Sequence, residues 1–136
     1  MLDVGSGGGF PGLPLALLTP ERKITLLDAS EKKTAFLQQV CQQLALNNVT
    51  VVHARVEQFS TSEFDTITCR AFSDLASFVV NTEQLLADGG QWLAMKGKKL
   101  DANELKALGE KYCIEQQQLQ IPGLADSRHL VIVSRR

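Results

Sequence analysis

No apolar run in these 136 residues approaches the ~20 that a membrane-crossing helix requires. The most apolar piece, residues 10–18, is interrupted by Pro11 and Pro14. A membrane partner is therefore not expected. The opening residues read as a strand, without the basic region and cleavage site of a secretory leader. Cysteine is sparse: Cys41, Cys69 and Cys113 are odd in number, far apart and contain no C-x-x-C. That excludes a disulfide framework and a zinc site. It predicts reduced, mostly buried thiols in a cytoplasmic protein with no metal. Charge of one sign is missing too. The net value of −1 lacks the basic excess of a protein whose whole surface binds nucleic acid. Internal repeats and low-complexity tracts are absent. What remains, 44% hydrophobic and 21% charged, suits one soluble domain with a single core.

The informative stretch comes first. Leu2-Asp3-Val4 runs into Gly5-Ser6-Gly7-Gly8-Gly9-Phe10-Pro11-Gly12, then into Leu13-Pro14-Leu15-Ala16-Leu17-Leu18. This reads as strand, tight turn and helix, the device by which an α/β protein brings backbone close to a nucleotide-like ligand. The helix is expected to point free N–H groups at that ligand. Two glycine frames overlap. Gly7, Gly9 and Gly12 satisfy G-x-G-x-x-G, the dinucleotide spacing. Gly5, Gly7 and Gly9 give G-x-G-x-G, with Phe10 in place of the third fingerprint glycine. The Gly5 frame puts the first glycine where the strand ends. It favours S-adenosylmethionine, which has no pyrophosphate to cradle.

Further along, Lys23–Asp28 is a second strand ending on an acid, placed either to accept from a ribose diol or to cap the next helix. Ser30 caps a helix from Glu31 to about Leu46, with Phe36, Leu37, Val40, Cys41 and Leu44 on its inward face. Lys32 and Lys33 on its first turn are solvated or face a polyanion. Val49–His53 is a third strand, and the turn after it, Arg55-Val56-Glu57, is placed beside an adenine ring, with Glu57 either accepting from a ligand amine or capping a helical turn. Phe64–Arg70 is the fourth strand. Its end, Cys69-Arg70-Ala71-Phe72-Ser73, lacks the Asp/Asn-Pro-Pro-Tyr/Phe segment of exocyclic amine methylation. It also lacks the Pro-Cys of cytosine-C5 chemistry. Arg70 beside Phe72 either contacts an anion or carbonyl of a ligand, or pairs with Asp65 or Asp74.

Asp74–Leu86 is an amphipathic helix, with Leu75, Phe78, Val79, Leu85 and Leu86 inward. Asp88-Gly89-Gly90 is a turn. Gln91–Lys96 is a fifth strand opening into Lys96-Gly97-Lys98-Lys99, a basic cluster suited to a phosphate backbone or to solvent. Asp101–Lys111 is a helix. Tyr112–Ile121 and Arg128–Val133 form a closing hairpin. The expected architecture is a Rossmann-like doubly wound α/β sheet of the S-adenosylmethionine-dependent methyltransferase type. It is mostly parallel, in order 3-2-1-4-5-7-6 with strand 7 antiparallel.

These residues resemble a family. Leu2 to Leu15 is similar to the signature of the bacterial 16S rRNA guanine-N7 methyltransferases, also called glucose-inhibited division protein B. The similarity continues through Thr25-Leu26-Leu27-Asp28, Lys32-Lys33, Phe36-Leu37, Arg55-Val56-Glu57, Cys69-Arg70-Ala71-Phe72, Lys96-Gly97 and Arg128-His129-Leu130-Val131-Ile132. The resemblance implies S-adenosylmethionine as donor and a guanine N7 in 16S rRNA, or in the small ribosomal subunit, as acceptor. It implies cofactor contacts at Gly5, Gly7, Phe10, Asp28, Val56, Glu57 and Arg70. It also implies a monomeric single-domain enzyme, residues 1–136, lacking an N-terminal helical segment that family members carry. Guanine N7 has an in-plane lone pair and no proton to lose, so its methylation needs alignment rather than a general base. The sequence shows no base constellation, and Arg70 is the candidate for orienting the guanine. A small-molecule methyltransferase, a nicotinamide-dependent reductase on the Gly7 frame and an inactive truncated fragment are the alternatives.

Overall fold

The computed structural model describes residues 1–60, 63–70, 72 and 74–136. The chain divides into two compact units, Met1–Ser62 and Glu63–Arg136.

In the first unit, β1 (Leu2–Val4), β2 (Ile24–Asp28) and β3 (Val49–His53) run parallel in the order β3-β2-β1. Parallel neighbours need crossovers, and α1 (Gly12–Leu18) and α2 (Glu31–Gln43) provide them. Leu13 and Ala16 of α1 pack with Ile24 and Leu26 of β2 and Leu37 of α2 to form the core. The Ser30 hydroxyl caps α2 by accepting from the Lys33 N–H at 3.3 Å. The helix stops at Gln43 rather than near Leu46, and Ala45 turns to φ +50°. Its buried stripe is also narrower than the periodicity suggested. Thr34 and Leu37 are buried, whereas Phe36 and Leu44 are about half exposed. Each residue turns roughly 100° about the axis, so Phe36 cannot share the sheet-facing line of Leu37. Past α1, the Asn48 side-chain amide donates to the carbonyls of Ala16, Thr19 and Arg22 at 3.0, 3.2 and 3.0 Å. It thereby closes the end of α1, just before Pro20.

In the second unit, β4 (Phe64–Arg70) is followed by α3 (Leu75–Thr82), β5 (Leu86–Lys96), α4 (Ala102–Leu108), β6 (Tyr112–Leu119) and β7 (Arg128–Arg135). The order is β4-β5-β7-β6, with β4 and β5 parallel and β7 antiparallel to both neighbours. Both runs reproduce segments of the expected order. Leu75, Phe78, Val79, Leu85 and Leu86 are buried as expected. Trp92 of β5 is fully buried, its Nε1 donating to the Thr82 hydroxyl at 2.8 Å and its ring edge-on to that of Tyr112, centroids 5.6 Å apart. Several boundaries differ: the helix expected over Asp74–Leu86 stops at Thr82, that expected over Asp101–Lys111 stops at Leu108, and β7 runs on to Arg135. Asp88-Gly89-Gly90 is not a turn before the strand but part of β5, which starts at Leu86. Phe64 faces Leu86 while Thr66 faces Gln91. The extra residues are absorbed as an irregularity, with Gly89 at φ +75°. Among the described residues, no helix is long and apolar enough to cross a membrane.

Candidate functional site

The glycine loop leaves β1 at Val4, so Gly5 is the first residue beyond the strand. Gly5 and Ser6 both donate their N–H to the Leu27 carbonyl, at 2.8 and 3.1 Å, which pins the loop to β2. Gly5, Gly7 and Gly9 have φ of +67°, +56° and +94°. The tightest position is Gly9, where a Cβ would stand 2.2 Å from Leu13 Cδ1. At Gly5 and Gly8 a Cβ would meet nothing within 4 Å. The loop thus has a packed side against α1 and an open side, and Phe10 is 54% exposed at its far end.

The N–H groups at the start of α1 are not free. Gly12 donates to Asp3 Oδ2 at 3.0 Å and Leu13 to the Gly9 carbonyl at 2.7 Å, while Pro14 has none to give. The expectation that this helix presents spare donors is therefore corrected. The physical reason is a buried carboxylate, Asp3, directly beneath the loop. In sequence Asp3 is only part of the first strand, and its role as an anchor was not anticipated.

Asp28 ends β2 and is 8% exposed. Its Oδ2 accepts from the Gly7 N–H and its Oδ1 from the Ser30 N–H, both at 2.9 Å. The carboxylate ties the loop to the start of α2, which includes the helix-entry role that sequence reasoning held as the alternative. A carboxylate offers about four acceptor sites, so two backbone donors do not exhaust it. The Asp28 carbonyl accepts from Ala54 N–H at 3.1 Å, and His53 Nε2 lies 3.1 Å from the Ala29 carbonyl. These bonds set the turn Val56–Gln58 beside the end of β2, with Val56 half-buried and Glu57 exposed. The first unit accordingly brings together Gly5, Gly7, Asp28 and the Val56-Glu57 turn.

Arg70 lies in the second unit, at the carboxyl end of β4, and is exposed. Exposure removes the desolvation argument made for it, because a hydrated guanidinium needs no ligand to offset burial. Asp74 is engaged by the N–H of Ala76, at 3.0 Å, and by the Ser77 hydroxyl. The Ser77 bond, followed by the local backbone N–H groups and Lys96, holds its carboxyl below the usual range. Ala71 and Ser73, named with Arg70 in the sequence, lie outside the described residues. Arg70 borders a cavity of about 440 Å³ together with Met95, Lys96 and Arg128. In the basic cluster, Lys96 is committed to Glu104 at 2.7 Å, while Lys98 and Lys99 are exposed. Lys32 and Lys33 are exposed as well. Cys69 is buried as expected, Cys41 is half-buried with its thiol pushed up by burial, and Cys113 is exposed against expectation. No group of three potential metal ligands occurs among the described residues.

The fold is that of the Rossmann-like methyltransferases. The glycopeptide N-methyltransferase MtfA superposes with a TM-score of 0.79 at 13% identity, covering 99% of this chain and 82% of its own. Magnesium protoporphyrin IX methyltransferase (ChlM) from Synechocystis PCC 6803, solved with bound SAH, gives 0.73 at 18% identity, covering 97% and 72%. The family follows from sequence. The model of GidB, rRNA small subunit methyltransferase G, matches residues 1–131. The Ribosomal RNA small subunit methyltransferase G of Neisseria meningitidis serogroup A is 53% identical over 137 aligned positions. That alignment takes in 100% of this chain and 66% of the relative. The chain belongs to the GidB family and spans about two thirds of the length of the curated relatives it matches.

Proposed function

We propose that this chain is the cofactor-binding body of an S-adenosylmethionine-dependent methyltransferase acting on N7 of a guanine in 16S rRNA. Family membership over residues 1–131 is the observation that carries the reading. The loop geometry supports the choice of cofactor. With Gly12 and Leu13 N–H groups already bonded inside the protein, α1 has little to offer a pyrophosphate, which the nicotinamide alternative would require. The open side at Gly5 and Gly8 leaves room for the methionine end of the cofactor, with its sulfonium, to pass close to backbone.

When bound, S-adenosylmethionine supplies a methyl group activated by a sulfonium. In the proposed site, Gly5 and Gly7 give backbone access and Phe10 borders the methionine end. Asp28 accepts from the ribose hydroxyls with its remaining lone pairs. Val56 and Glu57 flank the adenine, Val56 through backbone and Glu57 by accepting from the exocyclic amine. Arg70 retains two proposed roles, as a cofactor contact and as the group that orients the guanine through its O6 edge. No general base is required, since N7 carries a lone pair and no proton. The acting unit is proposed to be a monomeric single domain that takes 16S rRNA or the small subunit as substrate, uses no metal and works in the cytoplasm.

Calorimetric titration with S-adenosylmethionine, followed by mapping of the methylated base in deproteinised 16S rRNA, tests the reading. Binding and one N7-methylguanine are expected. Tight binding of a nicotinamide dinucleotide with none of S-adenosylmethionine would overturn it. Arg70→Ala is expected to lower cofactor affinity, methylation or both by about tenfold, the worth of one charge-assisted contact. If both stay unchanged, Arg70 has neither role.

A further inference from the structure

We infer that the cavity at the carboxyl end of β5 is a subsite for one nucleotide of a single RNA strand, with a wall for the base and a rim for its phosphates. For its nucleic acid, RNA, this rests on the function proposed above. Every residue lining the cavity belongs to the second unit.

Its volume, about 440 Å³, lies within the roughly 300–1,000 Å³ of ligand-sized pockets. One wall is apolar. Met95 and Leu119 are half-buried, and Ile121 is 46% exposed, so an occupant would remove apolar surface from water. The flat face of a base is such an occupant. Cations line the same cavity. Arg128 uses one guanidinium N–H on the Ser127 carbonyl at 2.9 Å and has further donors in its fork. Lys96 is countered by Glu104, so a phosphate here would rest on Arg128. His129 also borders the cavity, and its Nδ1 is buried without a hydrogen-bond partner. A buried ring nitrogen left without a partner is uncommon in a folded protein, and a polar edge of a bound base would supply one.

A strand fits better than a free nucleotide because the cationic surface continues. A second hollow of about 290 Å³ adjoins the first, sharing Gly97 and Arg128 and adding Lys98, Ser127 and one acid, Asp126. At Gly97, between the two, a Cβ would meet nothing within 4 Å. Apolar wall, arginine and onward lysine together suit base, phosphate and next phosphate. With an overall charge of −1, attraction of a polyanion depends on local basic runs such as this one.

The test is fluorescence anisotropy with the full chain and a labelled single-stranded RNA of about five nucleotides, a length within the range one binding domain spans. The same RNA with an abasic centre serves as the comparison, each titrated across salt concentration. The intact strand is expected to bind roughly tenfold more tightly than the abasic one. Ile121→Ser should shrink that ratio at least about threefold and leave the salt slope alone. Arg128→Gln should reduce the slope by about one and leave the ratio. Circular dichroism checks that both variants are folded. Equal binding of the two strands, or variants that change neither quantity, overturns the inference. Titration of the same samples with S-adenosylmethionine keeps the two proposals apart. Base-dependent RNA binding without cofactor binding would sink the methyltransferase reading and leave the cavity. Cofactor binding without base dependence would do the reverse.

Discussion

Individual glycines in the opening loop are not equivalent, and the differences are physical. Gly9 sits at φ +94° with a Cβ position 2.2 Å from Leu13 Cδ1, so alanine there meets both strain and collision. Gly8 has no positive φ and open space around its Cβ position. Gly9→Ala is expected to destabilise the chain by about 2–4 kcal/mol, combining a disfavoured backbone region with overpacking. Gly8→Ala should stay within about 0.5 kcal/mol of wild type, as surface changes usually do. Urea unfolding of the two variants separates them. If Gly8→Ala nevertheless weakens S-adenosylmethionine binding, backbone approach to the ligand is the remaining explanation. A Gly9→Ala variant as stable as wild type would show that Leu13 yields at little cost. Sequence alone could not rank these positions. Gly7, Gly8 and Gly9 are consecutive and identical, and only backbone φ and the packing of Leu13 and Leu37 tell them apart.

At the scale of elements, strand identity was legible and strand edges were less so. β1, β3 and β4 coincide with the expected spans because each is a short apolar or β-branched run bounded by glycine, asparagine or a polar turn. β5 was misplaced at its start because Asp88-Gly89-Gly90 carries turn chemistry, which pairing with β4 overrides. α4 shows the opposite case, a terminus written locally. Asp101 accepts from the N–H groups of Asn103 and Glu104, and Glu104 Oε2 accepts from the Asp101 N–H at 3.0 Å, completing a capping box. The same Glu104 reaches Lys96 at the end of β5. Lys96, and then the Asp101 N–H, hold its carboxyl below the usual range. A carboxyl lowered in the folded state contributes stability above its unfolded pKa and loses it as pH falls through the folded one. Glu104→Gln is therefore expected to be less stable than wild type at pH 7, by about 0.5–1 kcal/mol for a half-buried pair and cap. The difference should close on acidification below about pH 4, the range in which a glutamate protonates. Urea midpoints of both proteins across pH measure this. A gap that persists unchanged at pH 3 would mean that the ionised carboxylate is not what stabilises α4.

For the whole molecule, the site was only partly legible, because its anchors are long-range. The loop, the acid of β2 and the turn after β3 stand out in sequence. Their assembly depends on bonds that sequence does not display: Gly7 to Asp28, Gly12 to Asp3 and Ala54 to the Asp28 carbonyl. Asp28 shows how structure and proposed binding compete for one carboxylate. Its two backbone bonds must survive for the loop to hold, while its other lone pairs must reach the ribose. This predicts a separation of effects in Asp28→Asn. Asparagine keeps one acceptor oxygen and replaces the other with a donor, so one of the two N–H groups loses its partner. The cost should be about 1–3 kcal/mol in the absence of ligand. Ligand linkage adds a second readout. A ligand held only by the folded chain, at a hundredfold excess over its Kd, stabilises it by about 2.7 kcal/mol. For a chain of this size that is a rise in Tm of roughly 5–15 °C. Wild type is expected to show this rise with S-adenosylmethionine and none with a nicotinamide dinucleotide, whereas Asp28→Asn should lose most of it at the same ligand concentration. An Asp28→Asn protein with a lowered Tm but the full ligand-induced rise would assign Asp28 to the loop alone and move ribose recognition elsewhere.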